Sequence, residues 1–168
     1  RIHAGDIDGD GLNDLVIGAE ENDNYASTAG AVYLFLGDGG RMSGEVDAAD
    51  ADTRFYATQA AMEFGQTLIF PGDVNGDGRD DLLIGAPRSD EIEESAGGVY
   101  LFLGHETDYS LGNAVLHTVA QAEYLGEDTR DYAGTSIASL GDVDGDSRIE
   151  FAIGAHKADC DVSDDDRD

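Results

Sequence analysis

Positive charge is scarce in this chain: nine Lys and Arg stand against 37 Asp and Glu in 168 residues, a formal net charge of −28. Phosphate contacts need cationic side chains, so sequence-independent binding to nucleic acid or anionic lipid is excluded. Cysteine is nearly missing too. A lone Cys160 permits no internal disulfide, and the aspartates around it disfavour a reactive thiolate. It reads as an ordinary loop cysteine or as half of a disulfide whose partner lies elsewhere. No stretch reaches the roughly 18 apolar residues of a membrane span, so direct membrane insertion is not expected. The first residues carry no signal-peptide pattern. So acidic a composition invites a disordered reading, but 40% hydrophobic residues, gathered into short clusters, argue for a folded core.

What the chain does have is a repeat. Residues 6–37 (DIDGDGLNDLVIGAEENDNYASTAGAVYLFLG) and 73–104 (DVNGDGRDDLLIGAPRSDEIEESAGGVYLFLG) align without a gap, with 18 identities in 32 positions at an offset of 67. A third copy, DVDGDSRIEFAIGA, starts at Asp142, 69 residues after Asp73. Lead-in segments MEFGQTLIFPG and DYAGTSIASLG precede the second and third copies, with Gly65 and Gly134 again 69 apart. The arithmetic gives about two and a half periods. The expected organisation is an incomplete repeat over 1–52, a second over 53–120 and a truncated third over 121–168, a fragment of a longer repeat protein.

Between the Gly and Asp clusters lie short runs rich in β-branched and aromatic residues: LVIGA and LLIGA (15–19, 82–86) and VYLFLG (32–37, 99–104). These read as strands. VYLFL is apolar on both alternating faces, Val32, Leu34 and Leu36 on one and Tyr33 and Phe35 on the other. A strand covered on both sides suits a small sheet sandwiched between two like neighbours. Segment 111–122 is expected to be an outer strand. Each period then holds about four antiparallel strands, the size of one β-propeller blade, in an all-β fold.

The chemistry lies in the acidic loops. Oxygen-bearing side chains recur at loop positions 1, 3, 5 and 9: Asp6, Asp8, Asp10 and Asp14; Asp73, Asn75, Asp77 and Asp81; Asp142, Asp144, Asp146 and Glu150. Position 7 (Leu12, Arg79, Arg148) can offer a backbone carbonyl. Ca²⁺ takes six to eight hard oxygens in a flexible shell, and alternate residues of a tight loop turn theirs inward. Gly9, Gly11, Gly76, Gly78 and Gly145 permit the positive φ that such a wrap needs. About three Ca²⁺ sites are expected. Zn²⁺ is disfavoured because no loop supplies His or Cys, and Mg²⁺ usually keeps more of its waters. An EF-hand needs a bidentate Glu at position 12, where this chain has Ile17, Ile84 and Ile153 inside apolar runs. In the third loop Ser147 stands where the others have Gly at an expected positive φ, and weaker binding follows. Asp80, between two ligand positions, is expected to face solvent. His3, His105, His117 and His156 are scattered, so catalysis is not expected and no catalytic residue is assigned.

The pattern GDxxGDGxxDLxIGAP followed by GxVYLFLG resembles the FG-GAP repeat of integrin α-subunit β-propellers and their bacterial relatives. Here the Phe-Gly is Phe64-Gly65 and the Gly-Ala-Pro is Gly85-Ala86-Pro87; the third copy has Ala133-Gly134, and Glu20 and His156 replace the Pro. The resemblance implies a ring of about seven blades, with calcium in the loops between the first two strands of each blade, away from the main ligand-binding loops. It implies as partners the remaining blades and an unidentified protein or glycan ligand. The expected function is an extracellular, secreted or cell-surface calcium-binding scaffold for adhesion or ligand binding. The alternative is an accessory propeller of a larger secreted enzyme, since such repeats also occur beside hydrolases such as phosphatidylinositol-glycan-specific phospholipase D.

Overall fold

The computed structural model describes residues 1–40, 45–105 and 119–158, and the backbone alone of 112–115. Three small sheets follow one another along the chain. The first holds β1 (Ile2–Gly5), β2 (Asp14–Ala19), β3 (Ala31–Phe35) and β4 (Thr53–Tyr56). The second holds β5 (Thr67–Gly72), β6 (Asp81–Ala86), β7 (Gly98–Phe102) and, past β8 (Gly112–Val115), β9 (Ala122–Leu125). The third pairs β10 (Ala133–Gly141) with β11 (Glu150–Ala155). The chain is all-β, built from partial propeller blades; a short 3₁₀ turn over Ala48–Asp50, closed by an Asp47 capping box, interrupts the strands.

Within a blade, neighbours pair antiparallel, Ile17 opposite Tyr33 in the first sheet and Ile84 opposite Tyr100 in the second. One pairing departs from that rule. β8 leaves the second blade and lies parallel to β4, as a fifth strand on the first sheet. The expected outer strand over 111–122 is therefore divided: 112–115 joins the neighbouring blade, 111 and 116–118 lie outside the described residues, and β9 is the outer strand of the second sheet. β9 stands 69 residues after β4, the repeat offset, but TRFY and AEYL share no residue to reveal it. An unpaired outer edge invites association with other chains, and β8 covers that edge of the first blade.

The two-faced reading of VYLFL holds. Every residue of β3 and β7 is buried. Val32, Leu34 and Phe55 of the first blade meet Tyr100, Phe102, Leu82 and Ile84 of the second in one core. The Phe55 and Phe102 rings lie 4.7 Å apart across it. Val99 and Leu101 face the other way, toward Ile137, Phe151 and Ile153 of the third blade. The second blade thus offers a Tyr/Phe face to its predecessor and a Val/Leu face to its successor. Burying a side chain of this size contributes about 1.5–3 kcal/mol, so the inter-blade faces carry most of the cohesion.

Glycine sets how closely the blades approach. Gly18 of β2 packs on the carbonyl of Gly65 in the next blade; a Cβ at residue 18 would sit 2.3 Å from that oxygen. Gly85 repeats the contact against Gly134, at 2.5 Å. The Gly of one blade's IGA run therefore meets the Gly of the next blade's Phe-Gly. Phe64 is fully buried and edge-on to Tyr100, and Ala133 occupies the same place one blade later.

Candidate metal centre

Each acidic loop joins the first two strands of its blade: 6–13 between β1 and β2, 73–80 between β5 and β6, 142–149 between β10 and β11. The position-1 carboxylate organises the turn. Both Asp6 oxygens accept backbone N–H groups, from Gly9 at 2.8 Å and Gly11 at 2.9 Å. Asp73 does the same for Gly76 and Gly78, and Asp142 for Gly145 and Ser147. Positions 3 and 5 each accept the N–H two residues on, as Asp8 does from Asp10 and Asp10 from Leu12. These bonds draw the carboxylates toward one point. Ligand oxygens of Asp6, Asp8 and Asp10 lie within 4.8 Å of one another, and so do those of Asp142, Asp144 and Asp146. In the middle loop Asn75 replaces one carboxylate, and its Nδ2 donates to Asp77 at 3.0 Å.

Position 9 is built differently. Asp14 and Asp81 are fully buried at the start of β2 and β6. Asp14 accepts from Ile7 and Gly37, and Asp81 from Val74 and Gly104, each at 2.8 Å. These carboxylates lock the loop to the end of the third strand. Glu150 keeps the bond to Val143, at 2.7 Å. The two aspartates are thus structural anchors as well as candidate ligands; each oxygen retains a second lone pair.

The electrostatics fit a cation. Burial pushes the carboxyl of Asp14 above the usual range, the bonds from Gly37 and Ile7 oppose this, and the charges of Asp8 and Asp6 add to it. Asp81 is raised in the same way, by burial first, against bonds from Gly104 and Val74 and with the charges of Asp77 and Asp73. For Asp73 burial also pushes upward, but four N–H bonds, from Gly78, Gly76, Asp77 and Asn75, outweigh it and hold the carboxyl below the usual value. A cation within the loop favours the ionised form of every one of these groups. The donors are all oxygen, which suits a hard ion. The backbone carbonyls of Leu12, Arg79 and Arg148 stand at position 7 of loops with this shared hydrogen-bond pattern.

Ser147 takes φ 71°, beside 87° for both Gly11 and Gly78, as expected of its place in the loop. Asp80 corrects the sequence reading. Its carboxylate does not face solvent but accepts the Asp6 N–H at 2.9 Å. The Asp80 N–H in turn donates to the Asp6 carbonyl at 2.9 Å. The second half recurs one blade later, where the Ile149 N–H donates to the Asp73 carbonyl at 2.8 Å. Arg79 reaches across the same seam, Nε to the Asp8 carbonyl at 3.3 Å. Sequence reasoning treated the loops as separate and missed this coupling; the only signal was that position 8, between two ligand positions, is charged in the middle loop, where the others have Asn13 and Ile149. Cys160 and His117 lie outside the described residues. His3 accepts from the Phe70 N–H at 3.2 Å, and His156 Nδ1 lies 3.0 Å from the Thr135 hydroxyl.

Comparison with known proteins agrees with this geometry. The FG-GAP repeat family matches residues 1–35 and 66–102. Among curated proteins the chain is similar to integrin alpha-4 of Xenopus laevis, 30% identical over 158 residues and 94% of the chain. Integrin alpha-IIb of Homo sapiens is 32% identical over 160 residues and integrin alpha-PS5 of Drosophila melanogaster 30% over 158, each covering 92% of the chain. The chain spans 14% of the length of each of these three relatives.

Proposed function

Because the chain is an integrin-α-like stretch of FG-GAP repeats, we propose that it serves as a calcium-stabilised propeller scaffold for adhesion or ligand binding outside the cell. The observation that carries this is the convergence of oxygen donors in repeated loops that also bond to one another across the blade seam. Asp6, Asp8, Asp10 and Asp14 hold the first ion, Asp73, Asn75, Asp77 and Asp81 the second, Asp142, Asp144, Asp146 and Glu150 the third, each joined by a position-7 carbonyl. Bound Ca²⁺ supplies positive charge that offsets crowded carboxylates. The loop hydrogen bonds hold those carboxylates in place, and the Asp6–Asp80 seam passes the stiffening from blade to blade.

Extracellular Ca²⁺ matches the weak affinities of such modules, about 10⁻⁴–10⁻³ M, which supports a place outside the cytoplasm. Catalysis is not part of the proposal. The patterned carboxylates serve the metal, and among the described residues no helix is long and apolar enough to cross a membrane. A thermal melt under Ca²⁺ titration tests the reading: the midpoint rises at millimolar Ca²⁺ and less with Mg²⁺. An unchanged midpoint, or an equal rise with Mg²⁺, rejects it.

A further inference from the structure

The three copies agree in their acidic loops and cores but diverge directly after the IGA run, which reads Glu20-Glu21, Pro87-Arg88 and His156-Lys157 in successive copies. In the second and third blades these residues line one cavity of about 250 Å³ with Glu63, Gln66, Tyr132 and Thr135. Tyr132 and Thr135 stand 69 residues after Glu63 and Gln66, so the cavity is built from the same repeat positions of two adjacent blades. It lies at the opposite strand ends from the acidic loops, beside the close approach of Gly85 and Gly134. The backbone fixes two of its walls: Glu63 and Tyr132 both hold φ 54°, a left-handed conformation that strains a non-glycine residue.

The charge here runs against that of the molecule. In a chain of net charge −28, Arg88, Lys157 and the His156 imidazole share one cavity with a single carboxylate, Glu63. Glu63 is already engaged, with Arg88 Nε 3.2 Å from its Oε1 and Gln66 Nε2 2.7 Å from its Oε2. The Lys157 ammonium lies 4.6 Å from the centroid of the Tyr132 ring, on which His156 stacks at 5.4 Å. Among the described residues no carboxylate pairs with Lys157.

We propose that this inter-blade cavity is a carboxylate-binding subsite that takes an acidic side chain of a protein partner, with Lys157 and Arg88 as its charged contacts. The inference rests on the scaffold reading and names the ligand chemistry of one of its surfaces. A protein carboxylate is favoured over an acidic sugar because the Tyr132 ring, on which a sugar would stack, already carries His156 and Lys157. The cavity volume suits one side chain rather than a saccharide chain.

The test uses the full calcium-loaded chain and labelled N-acetyl-tetraglutamate, followed by fluorescence anisotropy, with tetraglutamine as the neutral probe. Tetraglutamate binds and tetraglutamine does not. Lys157→Gln and Arg88→Gln each weaken binding about three- to tenfold, as the net loss of one hydrogen-bonded contact in a solvent-open cavity predicts. Arg130→Gln leaves binding unchanged, since that guanidinium pairs with Glu94 on an outer turn at 2.8 Å. No binding by the unaltered chain, equal binding of tetraglutamine, or an equal loss in Arg130→Gln overturns the proposal. Preference for an oligogalacturonate over tetraglutamate overturns the choice of partner. Ca²⁺-dependent melting of the same samples separates the two readings: an unchanged calcium response in the variants shows an intact scaffold, and peptide binding without any calcium response rejects the metal reading alone.

Discussion

Asp6 and Asp80 hold each other across the seam between the first two blades: each backbone N–H is bonded to the other residue, one to a carbonyl and one to a carboxylate, both at 2.9 Å. The first residue of one acidic loop is thereby fixed by the eighth residue of the next. Asp80→Ala leaves a half-buried N–H without its acceptor and is expected to cost about 1–2 kcal/mol. Asp80→Asn, which keeps an acceptor oxygen, costs less. Urea denaturation in saturating Ca²⁺ measures both; two variants as stable as the parent would mean that the seam bond contributes nothing.

Ser147 holds at φ 71° a place that Gly11 and Gly78 hold at 87°. A Cβ at residue 11 or 78 meets nothing within 4 Å, so the penalty of a side chain there is backbone strain alone. Ser147→Gly is expected to stabilise the third loop by up to about 1 kcal/mol and tighten its Ca²⁺ binding, and Gly78→Ser to do the reverse in the second. Calorimetric Ca²⁺ titration compares them. A loss of affinity in Ser147→Gly contradicts this account.

Gly18 and Gly11 separate two roles of glycine. Gly18→Ala drives a methyl into the Gly65 carbonyl and is expected to cost about 1–3 kcal/mol as overpacking between blades. Gly11→Ala, whose methyl would meet no neighbouring atom, costs about 1 kcal/mol of backbone strain, the low end for a left-handed residue. If chemical denaturation ranks them in the opposite order, the close blade approach is wrong.

Acid acts on the calcium-free chain in two steps. Asp14 and Asp81 have carboxyls raised above the unfolded value, so the folded state takes up their protons first and stability rises as pH falls through that raised range. Asp73 is lowered; the stability it contributes is present above the unfolded value and is lost as pH falls through its folded one. Urea midpoints in EDTA are therefore expected to rise from neutral pH toward mildly acid conditions and to fall in stronger acid, while added Ca²⁺ loses its stabilising effect as protons compete for the same oxygens. A monotonic fall from neutrality in EDTA runs against these assignments.

Much of the architecture was legible from residue order. A gap-free repeat places equivalent strands in equivalent blades, and the two apolar faces of VYLFL required neighbours on both sides, which the burial of β3 and β7 bears out. The outer strands were less legible. Their sequences diverge, and β8 crosses to the neighbouring sheet through backbone pairing that no side-chain pattern encodes.

The acidic loops show the division most clearly. Sequence by itself determined which oxygens alternate along each loop and where glycine must turn the chain, because both are consequences of local spacing and backbone sterics. Only the tertiary structure decided that Asp14 and Asp81 are buried anchors, that Asp80 turns inward to Asp6, and that Arg88 and Lys157 come to share one cavity. Asp80 and Asp6 are 74 residues apart, and Arg88 and Lys157 are 69. Separations of that size are closed by blade-on-blade packing, whose apolar faces set the distance at which these polar groups meet.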